Sequence, residues 1–274
     1  MKSQAMETTQ KRLRILGDDE IEAIYTRPHF TPEERVRYFT LSQPEKALLQ
    51  ELRSVHSQAY FILQLGYFKA KQLFFTFALA ETQADLQYIL AQYFPQAQSE
   101  HQNGVNKRTN LRQRRLILEL CHYRLCSAEE RQQLEAKARQ AARVSSKPIY
   151  VLRELLQYLA EQRIVTPGYS SLQDIVGQAL IYEQDRLVAV VRTYLQASDR
   201  EALQRLLGDA QGLYEITLLK REPRDFSLGE IKRESSRGEQ IRPLYQIAQQ
   251  VLPHLDISNE SIKYYASLAT YYSV

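Results

Sequence analysis

Tryptophan is absent from this chain, and cysteine and methionine appear only twice each. Cys121 and Cys126 are too few for a disulfide framework and are not spaced as a CxxC pair, so both are expected to be small buried apolar side chains. Glycine and proline are also scarce, at nine each in 274 residues. That scarcity argues against the turn-dense punctuation of a β-sandwich or barrel. With Leu, Gln, Glu, Arg and Ala plentiful, it points to an all-α chain. No run is apolar enough to span a bilayer. The longest uncharged run around "FILQLGYFKAKQLFF" covers residues 54–68 and still contains His56, Gln58 and Gln64, whereas a spanning helix needs roughly 20 mostly apolar residues. The N-terminus has charges but no continuous apolar core and no small-residue cleavage site, so a cytoplasmic location is expected.

Catalytic signatures are missing as well. There is no glycine-rich phosphate loop, GxGxxG, HExxH, GxSxG or calcium-loop pattern. The five histidines are scattered, and "CHYRLC" places a Cys and a His side by side without a second ligand pair. The acids in "GDDEIEAIY" suit the first turn of a helix, where the macrodipole favours negative charge. Neither a metal site nor a catalytic residue is expected.

What the sequence does contain is helix starts and one concentration of positive charge. Seven Ser or Thr residues are followed three positions later by an acid, the capping-box pattern: Thr31/Glu34, Ser42/Glu45, Thr82/Asp85, Ser127/Glu130, Ser171/Asp174, Ser198/Glu201 and Ser227/Glu230. Apolar residues from Leu172 to Tyr194 keep helical spacing and predict one long helix. Residues 94–106 and 221–240 are polar and lack periodicity, which predicts a linker and a loop-rich segment. "LYEITLLK" is the one β-branched stretch and a candidate short strand. Between residues 105 and 153 there are twelve basic and four acidic side chains, a local surplus of eight in a chain whose net charge is +4. Such a concentration fits a nucleic-acid contact, and it fits a solvated helix face equally well.

The centre of this segment is "KRTNLRQRRLILELCHYR", which follows Lys107 and Arg108 into a helix. Arg112, Arg115, Glu119 and His122 share one face, Leu116, Ile117, Leu120 and Cys121 supply the buried side, and Asn110, Gln113 and Arg114 are expected to flank the exposed one. Arginine forks onto guanine, Asn or Gln onto adenine, and all of them reach phosphates, so the helix is competent to read or dock on DNA. After it, two amphipathic helices flank a turn holding Pro167 and Gly168, longer than the turn of a strict helix-turn-helix. Ser170 and Ser171 at the second start suit a phosphate or a plain helix cap.

The run "ILGDDEIEAIYTRPHFTPEERVRYFTLSQPEKALLQELRSVHSQAYFILQLGYFKAKQLFF" resembles the N-terminal region of the Tn three family of replicative bacterial transposases. The stretches "LRELLQYLAEQRIVTPGYSSLQDIVGQAL", "LLKREPRDFSLGEIKRE" and "LDISNESIKYYASLATYYSV" match that family in the same order. The resemblance implies tandem helical, helix-turn-helix-like modules that bind double-stranded DNA at the terminal inverted repeats, followed by helices that help dimerisation. On this reading residues 1–98 form a first DNA-binding module, 105–185 a second, basic one, and 186–274 a linker and dimerisation region. The resemblance makes Lys69, Lys71 and Gln72, where "FILQLGYFKAKQLFF" ends, candidate DNA contacts beside Lys107, Arg108, Asn110, Arg112, Gln113, Arg114, Arg115, Ser170 and Ser171. Strand cutting in this family belongs to a later domain that uses an Asp, Asp, Glu triad and magnesium. No triad maps onto this chain, so no catalysis and no cofactor are expected of it. The chain is expected to be an excised fragment or a truncated product. An alternative role is a dominant-negative regulator that pairs with itself or with a full-length transposase through Tyr264, Tyr265, Leu268, Tyr271 and Tyr272.

Overall fold

The computed structural model describes residues 13–97, 104–206 and 225–272. These residues are all-α; among them the only β-type pairing is an isolated parallel bridge between Arg124 and Ile164. The candidate strand at 213–220 and the side chains of Tyr271 and Tyr272 lie outside the described residues. The chain divides into two compact units, Met1–Ala138 with Pro148–Gly177, and Arg139–Lys147 with Gln178–Val274.

The first unit contains α1 (Asp18–Tyr25), α2 (Pro32–Phe39), α3 (Gln43–Leu49), α4 (Val55–Lys71), a 3-10 turn (Leu79–Thr82), α5 (Gln83–Tyr93) and α6 (Lys107–Cys121). It also takes most of α7 (Ala128–Val144), all of α8 (Pro148–Glu161) and the start of α9 (Tyr169–Tyr194). Its organising element is α4, in which every residue from Ala59 to Phe68 is buried. A helix that is apolar all round has no solvent face, so its neighbours must enclose it. They do so with rings: Phe30, Phe39, Phe75 and Phe77 surround Tyr67, and Tyr60 stacks on Phe77 with centroids 4.7 Å apart. α6 closes the same core through Ile117, with Leu116, Leu120 and Cys121 packed beside it.

The Tyr67 hydroxyl and the Asp85 carboxylate inside this core are paired, whereas Gln64 Oε1 and Gln113 Oε1 have no hydrogen-bond partner among the described residues. Asp85, 6% exposed, accepts hydrogen bonds from the Tyr67 hydroxyl and from Arg35 Nε, each at 2.7 Å. Burial first, and the Asp85 carboxylate second, push the Tyr67 phenol far above its usual range. This network explains one departure from the capping pattern. Thr82 does not cap α5; its hydroxyl donates to Leu79 O, and Asp85 is used by the core instead. Thr31/Glu34, Ser42/Glu45, Ser127/Glu130 and Ser227/Glu230 do mark helix starts. Ser171 and Ser198 lie inside helices that begin at Tyr169 and Ala197, so neither is a cap. Both cysteine thiols are half-buried, not buried as expected, and neither is in a disulfide.

The second unit takes the end of α7, the rest of α9, α10 (Ala197–Leu206), α11 (Leu228–Leu255) and α12 (Asn259–Tyr272). The predicted long helix is α9. Residues 228–240, expected to be loop-rich, are helical. Ser227 caps them, and Glu230–Arg233 and Glu234–Arg237, each three residues apart and 2.5 Å in length, brace the first turns against Gly229 and Gly238. Leu187, Ile247, Val251 and Leu255 form the core. Glu183, 2% exposed, holds Arg186 at 2.7 Å, and Arg186 Nη2 donates to Leu255 O at 2.8 Å, which satisfies a carbonyl at the end of α11.

Gly66 tests the tightness of the first core. A Cβ there meets the buried Phe39 ring at 2.4 Å. Gly66→Ala gains about 1 kcal/mol in helix propensity and meets an overpacking cost of about 1–3 kcal/mol, so a lower urea midpoint with an unchanged m-value is expected.

Candidate nucleic-acid interface

α6 begins at Asn106, whose side chain accepts from the Thr109 N–H at 2.8 Å, and it carries no acid in its first turn. Ile117 turns one side to the core, and the 3.6-residue period sends Lys107, Arg108, Leu111, Arg112 and Arg115 outward, all exposed. Arg112 Nη2 stands 3.9 Å from Glu51 Oε2, a loose surface pair worth about 0–1 kcal/mol. Among the described residues, Lys107, Arg108 and Arg115 have no acidic partner. Leu111, half-exposed, sits among them.

The other candidate residues of α6 face inward. Gln113 is fully buried, and its Nε2 donates to Ser57 O at 2.8 Å and Ser57 Oγ at 3.0 Å. Asn110 accepts from Gln64 Nε2 at 3.2 Å and donates to the Tyr60 hydroxyl at 3.3 Å. Arg114 lies over the Phe74 ring at 5.1 Å and donates to Phe75 O at 3.4 Å; burial holds its guanidinium below the usual arginine range. Asn110 and Gln113 pin α6 to α4, and Arg114 ties it to the segment that follows α4. The expected division of the helix therefore rotates: Asn110, Gln113 and Arg114 belong to the packed side.

The candidates outside α6 are dispersed. Lys69 pairs with Glu45 at 2.8 Å, Lys71 Nζ donates to Ala23 O, and Gln72, at φ 52°, ends α4 and donates its amide to Lys69 O at 3.0 Å. Ser170 is exposed and Ser171 half-buried in the first turn of α9, which follows α8 after residues 162–168.

One feature has no motif to mark it. A cleft of about 410 Å³ opens at the starts of α4 and α6, lined by Arg53, Ser54, Ser57, Thr109 and Arg112, with Gln113 among the residues that line it. In the second unit an apolar groove of about 580 Å³ runs between Leu187, Val188, Val191, Leu252, Ile262 and Tyr265. Among the described residues no three His, Cys, Asp or Glu side chains are grouped to hold a metal, and no helix is long and apolar enough to cross a membrane.

Residues 15–179 match a family described as a domain of unknown function, DUF4158. The chain belongs to the DUF4158 family. No curated protein matches the chain. The DUF4158 match contains α4, α6, α8 and α9 as far as residue 179, so the basic face and the cleft both lie within the family's domain.

The two sides of α6 separate in a stability measurement. Gln113→Ala strips Ser57 O of a buried donor and is expected to cost about 1–3 kcal/mol, while Arg115→Ala stays within about 0.5 kcal/mol of the parent. Equal losses in urea denaturation would contradict this assignment of faces.

Proposed function

We propose that this chain binds double-stranded DNA sequence-specifically at transposon terminal inverted repeats, as the N-terminal part of a Tn three family transposase, and does no chemistry of its own. The observation that carries the reading is the exposed face of α6, where Lys107, Arg108, Arg112 and Arg115 stand together on a helix anchored from behind. Positive side chains so arranged neutralise phosphates and release counterions, and arginine forks also reach guanine edges. The sequence resemblance supplies the kind of DNA. α8 and α9 with their seven-residue connection serve as the second, helix-turn-helix-like element. Asn110, Gln113 and Arg114 act as the scaffold, as do Lys69, Lys71 and Gln72, which are bonded back onto the fold.

The combined variant Lys107→Ala/Arg108→Ala/Arg115→Ala is expected to weaken binding to a transposon-end duplex. It should also flatten the plot of log affinity against log salt by about 0.9 for each phosphate that is no longer neutralised. Fluorescence anisotropy across a salt series reads both. Unchanged affinity and slope would remove α6 from the interface.

The apolar groove favours a second role for the 178–274 region, pairing with a second copy of the chain. Val188, Leu252 and Ile262 are exposed at 39%, 49% and 40%, and an uncovered apolar surface of this kind is typical of a protein contact. Sedimentation velocity is expected to show self-association at micromolar concentration, weakened by Leu252→Glu. A monomer under those conditions removes this role and leaves DNA binding untouched.

A further inference from the structure

The solvent side of α11 carries an apolar seam that the fold leaves uncovered. The helix turns Ile247, Val251 and Leu255 to the core of the second unit. Beside that buried face, Ile231, Gly238, Tyr245 and Leu252 follow one another at seven-residue intervals, and Ile241 falls three residues after Gly238. Residues so spaced form one stripe along a helix, the arrangement by which two helices interlock side chains. The stripe faces water: Ile231 is 53% exposed, Ile241 43%, Tyr245 60% and Leu252 49%, and a Cβ added at Gly238 meets nothing within 4 Å. Pro243 lies on the opposite face and does not interrupt it. Glu234, the acid that falls on the stripe, is already held by Arg237 at 2.5 Å.

The order of side chains along this seam points to its occupant. Ile231 and Leu252 are equally far from the point between Ile241 and Arg242, and so are Gly238 and Tyr245. A second copy of α11 laid antiparallel about that point sets Ile231 of one copy beside Leu252 of the other, Tyr245 beside Gly238, and the two Ile241 side chains against each other. The largest side chain on the seam then meets the one position that has none, twice in the same contact, which is the large-against-small match of a packed interface. A parallel copy sets Tyr245 against Tyr245 and loses that match. Ile231 and Leu252 stand roughly 32 Å apart along one helix, so a chain cannot make these contacts with itself.

We propose that two copies of this chain pair through α11, antiparallel about a two-fold axis at Ile241. The inference rests on the self-pairing reading above and names its surface and register. At each end Ile231 of one copy closes over Leu252, on the wall of the other copy's apolar groove. Because each contact is returned by its symmetry mate, the pairing closes at two copies and does not propagate.

Sedimentation velocity and oxidative cross-linking of the intact chain test the register. Gly238→Leu puts a side chain where the Tyr245 ring is to sit, and it is expected to weaken association several-fold. At dilutions where the chain is monomeric its thermal midpoint should not fall, since the position is open within one copy and leucine is the better helix former. Adding Tyr245→Ala to the same chain is expected to restore association, a rescue that requires Gly238 and Tyr245 to face each other. With the parent chain as the control for Cys121 and Cys126, Ile241→Cys is expected to form a disulfide-linked dimer by itself, and Ile231→Cys only when mixed with Leu252→Cys. Linking of Ile231→Cys to itself means a parallel pair and overturns the proposal. Self-association unchanged by Gly238→Leu also overturns it and leaves pairing through the groove standing. A parent chain that stays monomeric at micromolar concentration overturns the seam and self-pairing together, and leaves DNA binding untouched.

Discussion

A helix buried on every side must satisfy all of its polar groups inside the protein, and α4 imposes that constraint on the first unit. Its apolar side chains call for a shell of rings, which Phe30, Phe39, Phe75 and Phe77 provide. Its polar ones call for partners brought from distant sequence. Tyr67 finds Asp85 and Gln64 finds Asn110. In each case the cost of an unpaired buried group outweighs what the partner gains from its local role. Asp85 therefore serves the core, and the cap that its spacing suggests is not made.

The same constraint orients α6. Asn110 and Gln113 reach toward α4 because buried backbone and side-chain groups there need donors and acceptors. With that side fixed, the helical period places Lys107, Arg108, Arg112 and Arg115 in water. The basic face is thus a consequence of core satisfaction. Arg114 shows the boundary between the two regimes: its guanidinium lies over Phe74, half-buried, while its sequence neighbour Arg115 is exposed. In the second unit Glu183 and Arg186 show the corresponding logic, a buried carboxylate held by a guanidinium that also closes the end of α11.

Much of the helical framework was legible because its signals are local. Thr31, Ser42, Ser127 and Ser227 mark starts where a hydroxyl and an acid three residues on act within one turn, and the apolar spacing from Leu172 to Tyr194 runs the length of α9. Residues 228–240 were harder to read because glycines and serines obscure a helix held by pairs of opposite charge. The candidate interface was legible in composition only. Arg and Gln within the same few residues look alike to a charge count, yet Gln113 and Arg115 end on opposite sides of one helix.

By itself, then, the sequence determined the helical class, the positions of several helix starts and the concentration of positive charge between residues 105 and 153, because propensity, capping and net charge act over a few neighbouring residues. Only the tertiary structure decided which polar side chains are consumed by the core. It also decided that Arg53 and Arg112, 59 residues apart, line one cleft. Burial and pairing depend on residues distant in the chain, and one helical period does not say which of its faces another helix will cover.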